Sequence, residues 1–281
     1  MLNECHIPVI SALTNFRLNL LKLERLFSTL PTLFLSATIP PTMVPTFLDY
    51  YKITEAHFIR RSTNRTNLRY SVLETPSSKQ AWDRLHKIMT DEVGNYEASG
   101  RTIIYCRSKS LVEAVHRAYD TLRYHADMTN EERATNLAKF MTEPDTTIAA
   151  TGALGAGVDP PGVRLTIHMG GVWSLVDFHQ ESGRAGRDGL RAKSIIITTN
   201  RHACLSQHTI DQQAVYDFYT TTHCRRFQLS KYIDGEAYDC FAESNEPCDI
   251  CQSYKSNMSF GLSEVPPVCT TLVKHCNIEG V

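Results

Sequence analysis

Thr102-Ile-Ile-Tyr-Cys106, with Arg107-Ser-Lys-Ser-Leu-Val-Glu113 behind it, decides how the chain folds. The first segment is rich in β-branched and aromatic side chains and reads as a buried strand. Ser110 and Glu113 stand at capping-box spacing and predict a helix with Leu111, Val115, Ala118 and Leu122 on its inward face. A second helix opens at Thr129-x-x-Glu132, with Ala134, Leu137, Ala138 and Met141 on one side. Further strands read at Thr147-Ile-Ala-Ala-Thr151, Val163-Arg-Leu-Thr-Ile-His168 and Ser194-Ile-Ile-Ile-Thr-Thr199. Alternation of this kind implies an α/β domain, a mostly parallel sheet flanked by helices. Ligands of such sheets sit at the carboxyl ends of the strands. Three polar or glycine-rich loops are therefore expected on one edge: Arg107-Ser108, Gly152 to Asp159, and Gly183 to Gly189.

The last of these belongs to Val176-Asp-Phe-His-Gln-Glu-Ser-Gly-Arg-Ala-Gly-Arg-Asp-Gly189, the stretch hardest to explain as ordinary structure. Arg184 and Arg187 are three apart, so a helix running through Arg187 would aim both guanidiniums the same way. Planar forks beside glycines suit a polyanion, because each fork donates two parallel hydrogen bonds and the backbone approaches closely. Upstream, residues 16 to 30 carry leucines at helical spacing up to Pro31, and Thr32-Leu-Phe-Leu-Ser-Ala-Thr38 reads as a strand ended by Pro40-Pro41. Between these pieces, Arg60, Arg61, Arg65 and Arg69 lie among Asn and Thr in a linker, a solvated connector more than a phosphate track.

With 281 residues, 42% of them hydrophobic, the chain is long enough for about two domains. A net charge of -1 means that any nucleic-acid contact comes from local patches. No apolar run reaches the roughly 18 residues that span a bilayer. The Met1-Leu-Asn-Glu-Cys-His6 start lacks the basic and apolar regions of a secretion signal, so no membrane role and no secretion are expected. Cys224, Cys240 and Cys248-Asp-Ile-Cys251 supply four thiols, the last pair at the spacing with which two sulfurs grip one ion. A closed structural Zn²⁺ site follows from that pattern, with Cys269 and Cys276 left over.

Together these residues resemble the C-terminal part of a RecQ-type DNA helicase of superfamily 2. Gln180-Glu-Ser-Gly-Arg-Ala-Gly-Arg-Asp-Gly189 is similar to that family's motif VI, Ala150-Thr-Gly-Ala-Leu-Gly-Ala-Gly-Val-Asp159 to motif V, Ile104-Tyr-Cys-Arg-Ser108 to motif IV and Leu35-Ser-Ala-Thr38 to motif III. Asn3-Glu-Cys-His6 resembles its Asp-Glu-Cys-His box, with an amide in place of the first acid and so without the charge that helps hold Mg²⁺. The resemblance implies a RecA-like three-layer lobe over residues 57–200. A partial RecA-like lobe would precede it at 1–56, and a small helical zinc-binding module (201–258) and a tail (259–281) would follow.

The resemblance also implies ATP and Mg²⁺ as cofactors beside Zn²⁺, with DNA, single-stranded or tailed, as partner and the nucleus (cytoplasm or nucleoid in a prokaryote) as location. Glu4 would orient the attacking water, Arg187 would be the arginine finger with Arg184 on the γ-phosphate, and Gln180 would couple them to the opposite lobe. Asn3, His6, Gly157, Asp159 and Gly183 fall in the nucleotide site by the same likeness. Phe16 and Arg17, at the end of an aromatic loop whose tryptophan is missing, join Arg107, Ser108 and Thr151 on DNA. No Gly-x-x-x-x-Gly-Lys-Ser/Thr stretch occurs among the 281 residues. The expectation is an N-terminally truncated 3′ to 5′ helicase inactive by itself, with exposed apolar surface in residues 1 to 50 and a partner chain covering it. The alternatives are a non-enzymatic nucleic-acid-binding remnant and a DEAD-box-like RNA helicase fragment, the second disfavoured by the four cysteines.

Overall fold

The computed structural model describes residues 1–9, 31–96, 99–154, 158–199, 210–241 and 245–259. The helix expected over residues 16 to 30 lies outside them. A six-stranded, wholly parallel sheet in the order β3-β8-β7-β4-β6-β5 forms the centre. Its strands are β3 (Leu68–Glu74), β4 (Arg101–Cys106), β5 (Leu122–Tyr124), β6 (Thr147–Ala150), β7 (Val163–Met169) and β8 (Ala192–Thr198). Ahead of it, β1 (Leu2–Asn3) pairs in parallel with β2 (Phe34–Leu35), and α1 (Val44–Tyr51) packs on them. Phe34, Phe47 and Tyr51 form a small aromatic cluster there with buried Cys5 and Val9, while Leu33 and Leu35 remain exposed.

Period-two alternation divides the sheet's side chains between two cores. Ile104, Cys106, Ala149, Leu165, Ile167, Ile195 and Ile197 face α2 (Ser78–Asp91) and α3 (Lys109–Tyr119), which contribute Ala81, Leu85, Ile88, Val112 and Val115. The other face carries Tyr70, Ile103, Tyr105, Ile148 and Ile196 against α4 (Asn130–Thr142) and α5 (Leu175–Ser182). The same core continues without a break into α6 (Ile210–Thr220), α7 (Arg225–Ile233) and the buried cysteines 224, 240, 248 and 251; α8 (Asp249–Ser259) completes this end. The lobe is a helix–sheet–helix sandwich of RecA-like form. No helix among the described residues is long and apolar enough to cross a membrane.

Three local expectations change. The helix after β4 is capped by Ser108, whose side chain accepts from the Leu111 amide, so Ser110 and Glu113 lie inside it, and Glu113 instead pairs with Arg123 and His125. Its buried face is Val112 and Val115, and Leu122 starts a strand. The capping box at Thr129 and Glu132 is present, yet α4 buries Phe140 and leaves Ala134 and Ala138 exposed. At its far end the buried Arg101 guanidinium donates to the Phe140 and Met141 carbonyls, satisfying groups the helix leaves open.

Of the three loops, only Arg107-Ser108 and Thr151-Gly152 meet at the carboxyl edge, where Gly170 to Trp173 joins them around a pocket of about 150 Å³. The Gly183–Gly189 turn lies elsewhere. An eight-residue helix is about 12 Å long, and α5 uses that length to run back along the sheet. The turn therefore meets the amino ends of β7 and β3, where the Gly186 amide donates to the Val163 carbonyl at 2.8 Å.

The corrected cap gives a direct comparison. Ser108→Ala should lower stability in urea denaturation by about 1 kcal/mol, and Ser110→Ala by much less; equal losses would return the cap to Ser110.

Candidate functional site

Gln180, on the outward side of α5, reaches across to the β1–β2 unit. Its side-chain amide nitrogen lies 3.0 Å from His6 Nε2, 2.9 Å from Thr38 Oγ1 and 3.4 Å from Glu4 Oε2. Two N–H bonds serve the two near acceptors, leaving the carboxylate as a looser third neighbour. Burial holds His6 down to about 4, so its ring is neutral near pH 7. With Nε2 accepting from Gln180, the proton sits on Nδ1 and is donated to Ser36 Oγ at 2.7 Å, which in turn accepts from the Thr38 amide. Glu4, half-buried, has a backbone φ of +52°, a left-handed conformation costing a non-glycine residue on the order of 1 kcal/mol.

The arginines do not share a helical face, because α5 ends at Ser182 and the chain turns through Gly183 and Gly186, the latter at φ +63°. A Cβ on Gly186 would stand 2.5 Å from the Asn67 amide nitrogen, so the turn is fitted to its surroundings. Arg65 donates to the Gly183, Ala185 and Gly186 carbonyls at 2.9, 3.2 and 2.6 Å. Buried Arg164 grips Asp188 with both terminal nitrogens and holds that carboxyl below its usual range. Arg184 and Arg187 nevertheless converge on one segment. Buried Arg184 donates to the Val158 carbonyl, and half-exposed Arg187 pairs with Asp159 at 2.5 Å.

Two of the four linker arginines do more than sit in solvent, while Arg61 stays exposed. Besides Arg65, Arg60 donates to the Ile39 and Ile233 carbonyls, joining the β1–β2 unit to α7. Asp234 receives both the Thr63 amide and its hydroxyl.

Cys224, Cys240, Cys248 and Cys251 are all buried, with sulfurs within 4.8 Å of one another. Tetrahedral zinc with bonds of about 2.3 Å sets sulfurs about 3.8 Å apart. The Cys224 and Cys240 sulfurs, at 3.4 Å, are too far for a disulfide and near that spacing. The donor set fits Zn²⁺.

With this geometry in place, relatives can be compared. The helicase conserved C-terminal domain family matches residues 80–189. The putative ATP-dependent DNA helicase Q1 of Caenorhabditis briggsae is 32% identical over 254 residues, 85% of this chain and 40% of that protein. The RecQ-like DNA helicase BLM of Xenopus laevis is 28% identical over 269 residues, 85% of this chain and 19% of that protein. Over about 85% of its length the chain is similar to the C-terminal region of RecQ-type superfamily 2 helicases. The chain spans two fifths or less of the length of these relatives. Among solved structures, Mss116p bound to ssRNA and AMP-PNP superposes with a TM-score of 0.53 at 15% identity, covering 70% of this chain and 42% of that one; the likeness is one of fold.

Within this RecQ-like region the structure brings Glu4, His6 and Gln180 together, and separately Gly183, Arg184, Arg187 and Asp159. Asn3 stands exposed at the end of β1. Arg107, Ser108 and Thr151 share the carboxyl edge, whereas the turn meets the amino ends of β7 and β3. Gly157, Phe16 and Arg17 lie outside the described residues. Sequence reading gives Ser36 and Asn67 no role of their own and takes Arg65 only as a linker cation. A serine two before Thr38 and an arginine and asparagine just ahead of a strand look like ordinary loop chemistry until their partners are seen.

Zinc loading gives the first test here. Purified protein should hold one zinc per chain by metal analysis. Cys248→Ser should lose it together with order in the region after Cys224, and retained stoichiometric zinc would mean other ligands. The pH response gives the second. Because burial depresses His6 in the fold from 6.5 to about 4, its contribution is full above about pH 6.5 and is lost as pH falls toward 4. Between pH 7 and 5, His6→Gln should remove on the order of 1–2 kcal/mol of acid sensitivity in urea titrations. His179, held down to about 4 by burial and then by Arg65, keeps its own share.

Proposed function

We propose that this chain supplies the second motor lobe, the arginine finger and the metal module of an ATP-dependent DNA helicase that moves 3′ to 5′. In this reading residues 1–56 are the rear of the first lobe, 57–200 the second lobe and 201–258 the zinc-binding module, in a nuclear protein of DNA repair or recombination. One observation carries it. A single amide, Gln180, touches Glu4, His6 and Thr38 across the junction, and the next turn of the same chain presents Arg184 and Arg187.

ATP with Mg²⁺ supplies a γ-phosphoryl group whose loss to water is driven by positioning and charge neutralisation. The residues present fit that task. Glu4 is the carboxylate placed to orient water, and Gln180 reports to it from the arginine segment. Arg187, on exchanging Asp159 for phosphate oxygens, would neutralise developing charge, and Arg184 would steady the 158–159 segment beneath it. Glu4 is the one acid of the Asn3–His6 box, so Mg²⁺ binding by this segment is weaker than a paired Asp-Glu would give.

A non-enzymatic nucleic-acid-binding role is the second reading, favoured by Asn3, whose amide lacks the charge that helps hold Mg²⁺. Linker phosphate contacts would support it less than expected, since Arg60 and Arg65 spend their donors on carbonyls.

ATP turnover by the purified chain, measured with and without single-stranded DNA, separates the readings. By itself it should stay at background in both. Fused to a first lobe carrying a phosphate loop, it should become DNA-stimulated, and Arg187→Ala should cost about a thousandfold or more in kcat. DNA-stimulated, Arg187-dependent turnover by the unfused chain would show that no such loop is needed. A fusion insensitive to Arg187→Ala would remove the finger assignment.

A further inference from the structure

Trp173 is 62% exposed at the carboxyl edge of the sheet. A single exposed aromatic is ordinary on a protein surface, so its surroundings decide whether it is informative. The guanidinium carbon of Arg107 lies 3.3 Å from the centre of the indole and covers one face of it. Since most of the side chain is nevertheless open, the opposite face looks into solvent. Nor is the loop loose. The Gly170 and Gly171 amides both donate to the Ile197 carbonyl, the Val172 amide donates to Tyr219 Oη at 2.7 Å, and Ser174 caps α5 through the Asp177 amide. Arg107 is fixed from its own side by donating to the Gly170 carbonyl at 3.0 Å. An aromatic plate is thus held rigidly outward, backed by a cation, with Thr151 and Gly152 across the pocket.

We propose that Trp173, backed by Arg107, is a stacking platform for a base of single-stranded DNA crossing the carboxyl edge of this lobe. The inference rests on the DNA reading above and adds to it a residue that none of the matching motifs contains. Every base has a π-face, whereas a phosphate is served by Arg107 and the capped start of α3. Asp177 and Glu181 line the pocket wall and offer no cation to a phosphate, so the backbone runs on the Arg107 side of the plate. Arg107 thereby has two tasks, orienting the indole and neutralising the backbone beside it.

The chain has two tryptophans, and Trp82 packs against Tyr119 on the helical face, so emission can be assigned. The full chain carrying Trp82→Phe is titrated with dT15 and with an abasic 15-mer, following both tryptophan emission and the anisotropy of labelled DNA. Expected are quenching of Trp173 by dT15, none by the abasic strand, and weaker abasic binding. Trp173→Ala should weaken dT15 binding by about 5- to 100-fold, the range for loss of one stacked base, with an unchanged salt slope; Trp173→Phe should keep most of the affinity. Should Trp82→Phe fail to fold, the emission difference between the parent and Trp173→Phe gives the same readout. Binding of dT15 without quenching, or with full affinity in Trp173→Ala, overturns the platform and leaves the DNA reading standing. Failure of the parent chain to bind dT15 overturns both.

Discussion

The guanidinium of Arg226 joins more of this structure than any other group described. It is 2% exposed and donates to the Asn64 side chain and to the Arg65, Leu68 and Glu246 carbonyls, with Tyr70 stacked 5.5 Å away. Its helix starts at Cys224, so the cysteine cluster, the linker and the first strand of the sheet meet on one side chain. Burying a cation costs several kcal/mol, and four charge-assisted bonds of about 1.5–3 kcal/mol each roughly offset that. The net stabilisation is then small. What the arrangement gives is register, because no other placement of the linker puts three carbonyls around one planar fork.

From there the order passes to the chemistry. Arg65, whose carbonyl Arg226 fixes, spends its own guanidinium on the three carbonyls of the Gly183–Gly186 turn. That turn positions Arg184 and Arg187. Gln180, one helical turn earlier, meets Glu4, His6 and Thr38 of the β1–β2 unit. The cysteine cluster therefore lies at the far end of a path of part-buried hydrogen bonds and short backbone links from the junction. This path also explains why the cysteine region shares a core with the lobe instead of forming its own.

The layout of the sheet was legible in sequence because β-branched runs such as Thr147–Ala150 and Ile195–Ile197 are buried on both faces and carry no polar interruption. β5 was not legible: Leu122-Arg-Tyr124 is three residues long and half-buried, too short for any period to show. β3 was hidden for another reason. Leu68-Arg-Tyr-Ser-Val-Leu-Glu74 follows an arginine-rich linker whose charges look solvated, and only tertiary structure shows Arg60 and Arg65 donating to carbonyls. The cap at Ser108 was missed because two serines compete within three residues, and local spacing favoured the one with a glutamate three places on. At the site, the motif residues were readable as types. The end of the sheet to which the Gly183–Gly189 turn returns was not, since that depends on the length of α5 and not on any residue in the turn.

Arg187 is a finger candidate already engaged by an acid, and the strength of that engagement decides whether the assignment is physically sound. Its pair with Asp159 joins side chains 46% and 66% exposed. Ion pairs so open to water are worth roughly 0–1 kcal/mol. A triphosphate offers several oxygens and a greater charge, so under the proposed finger role the exchange would run downhill. Arg184 is different. It is 8% exposed and committed to the Val158 carbonyl, and moving it would leave a buried guanidinium without that acceptor. Of the two arginines, then, Arg187 is the one free in energy to follow phosphate, while Arg184 holds the strand entry at Val158 and Asp159 in the place from which Arg187 departs.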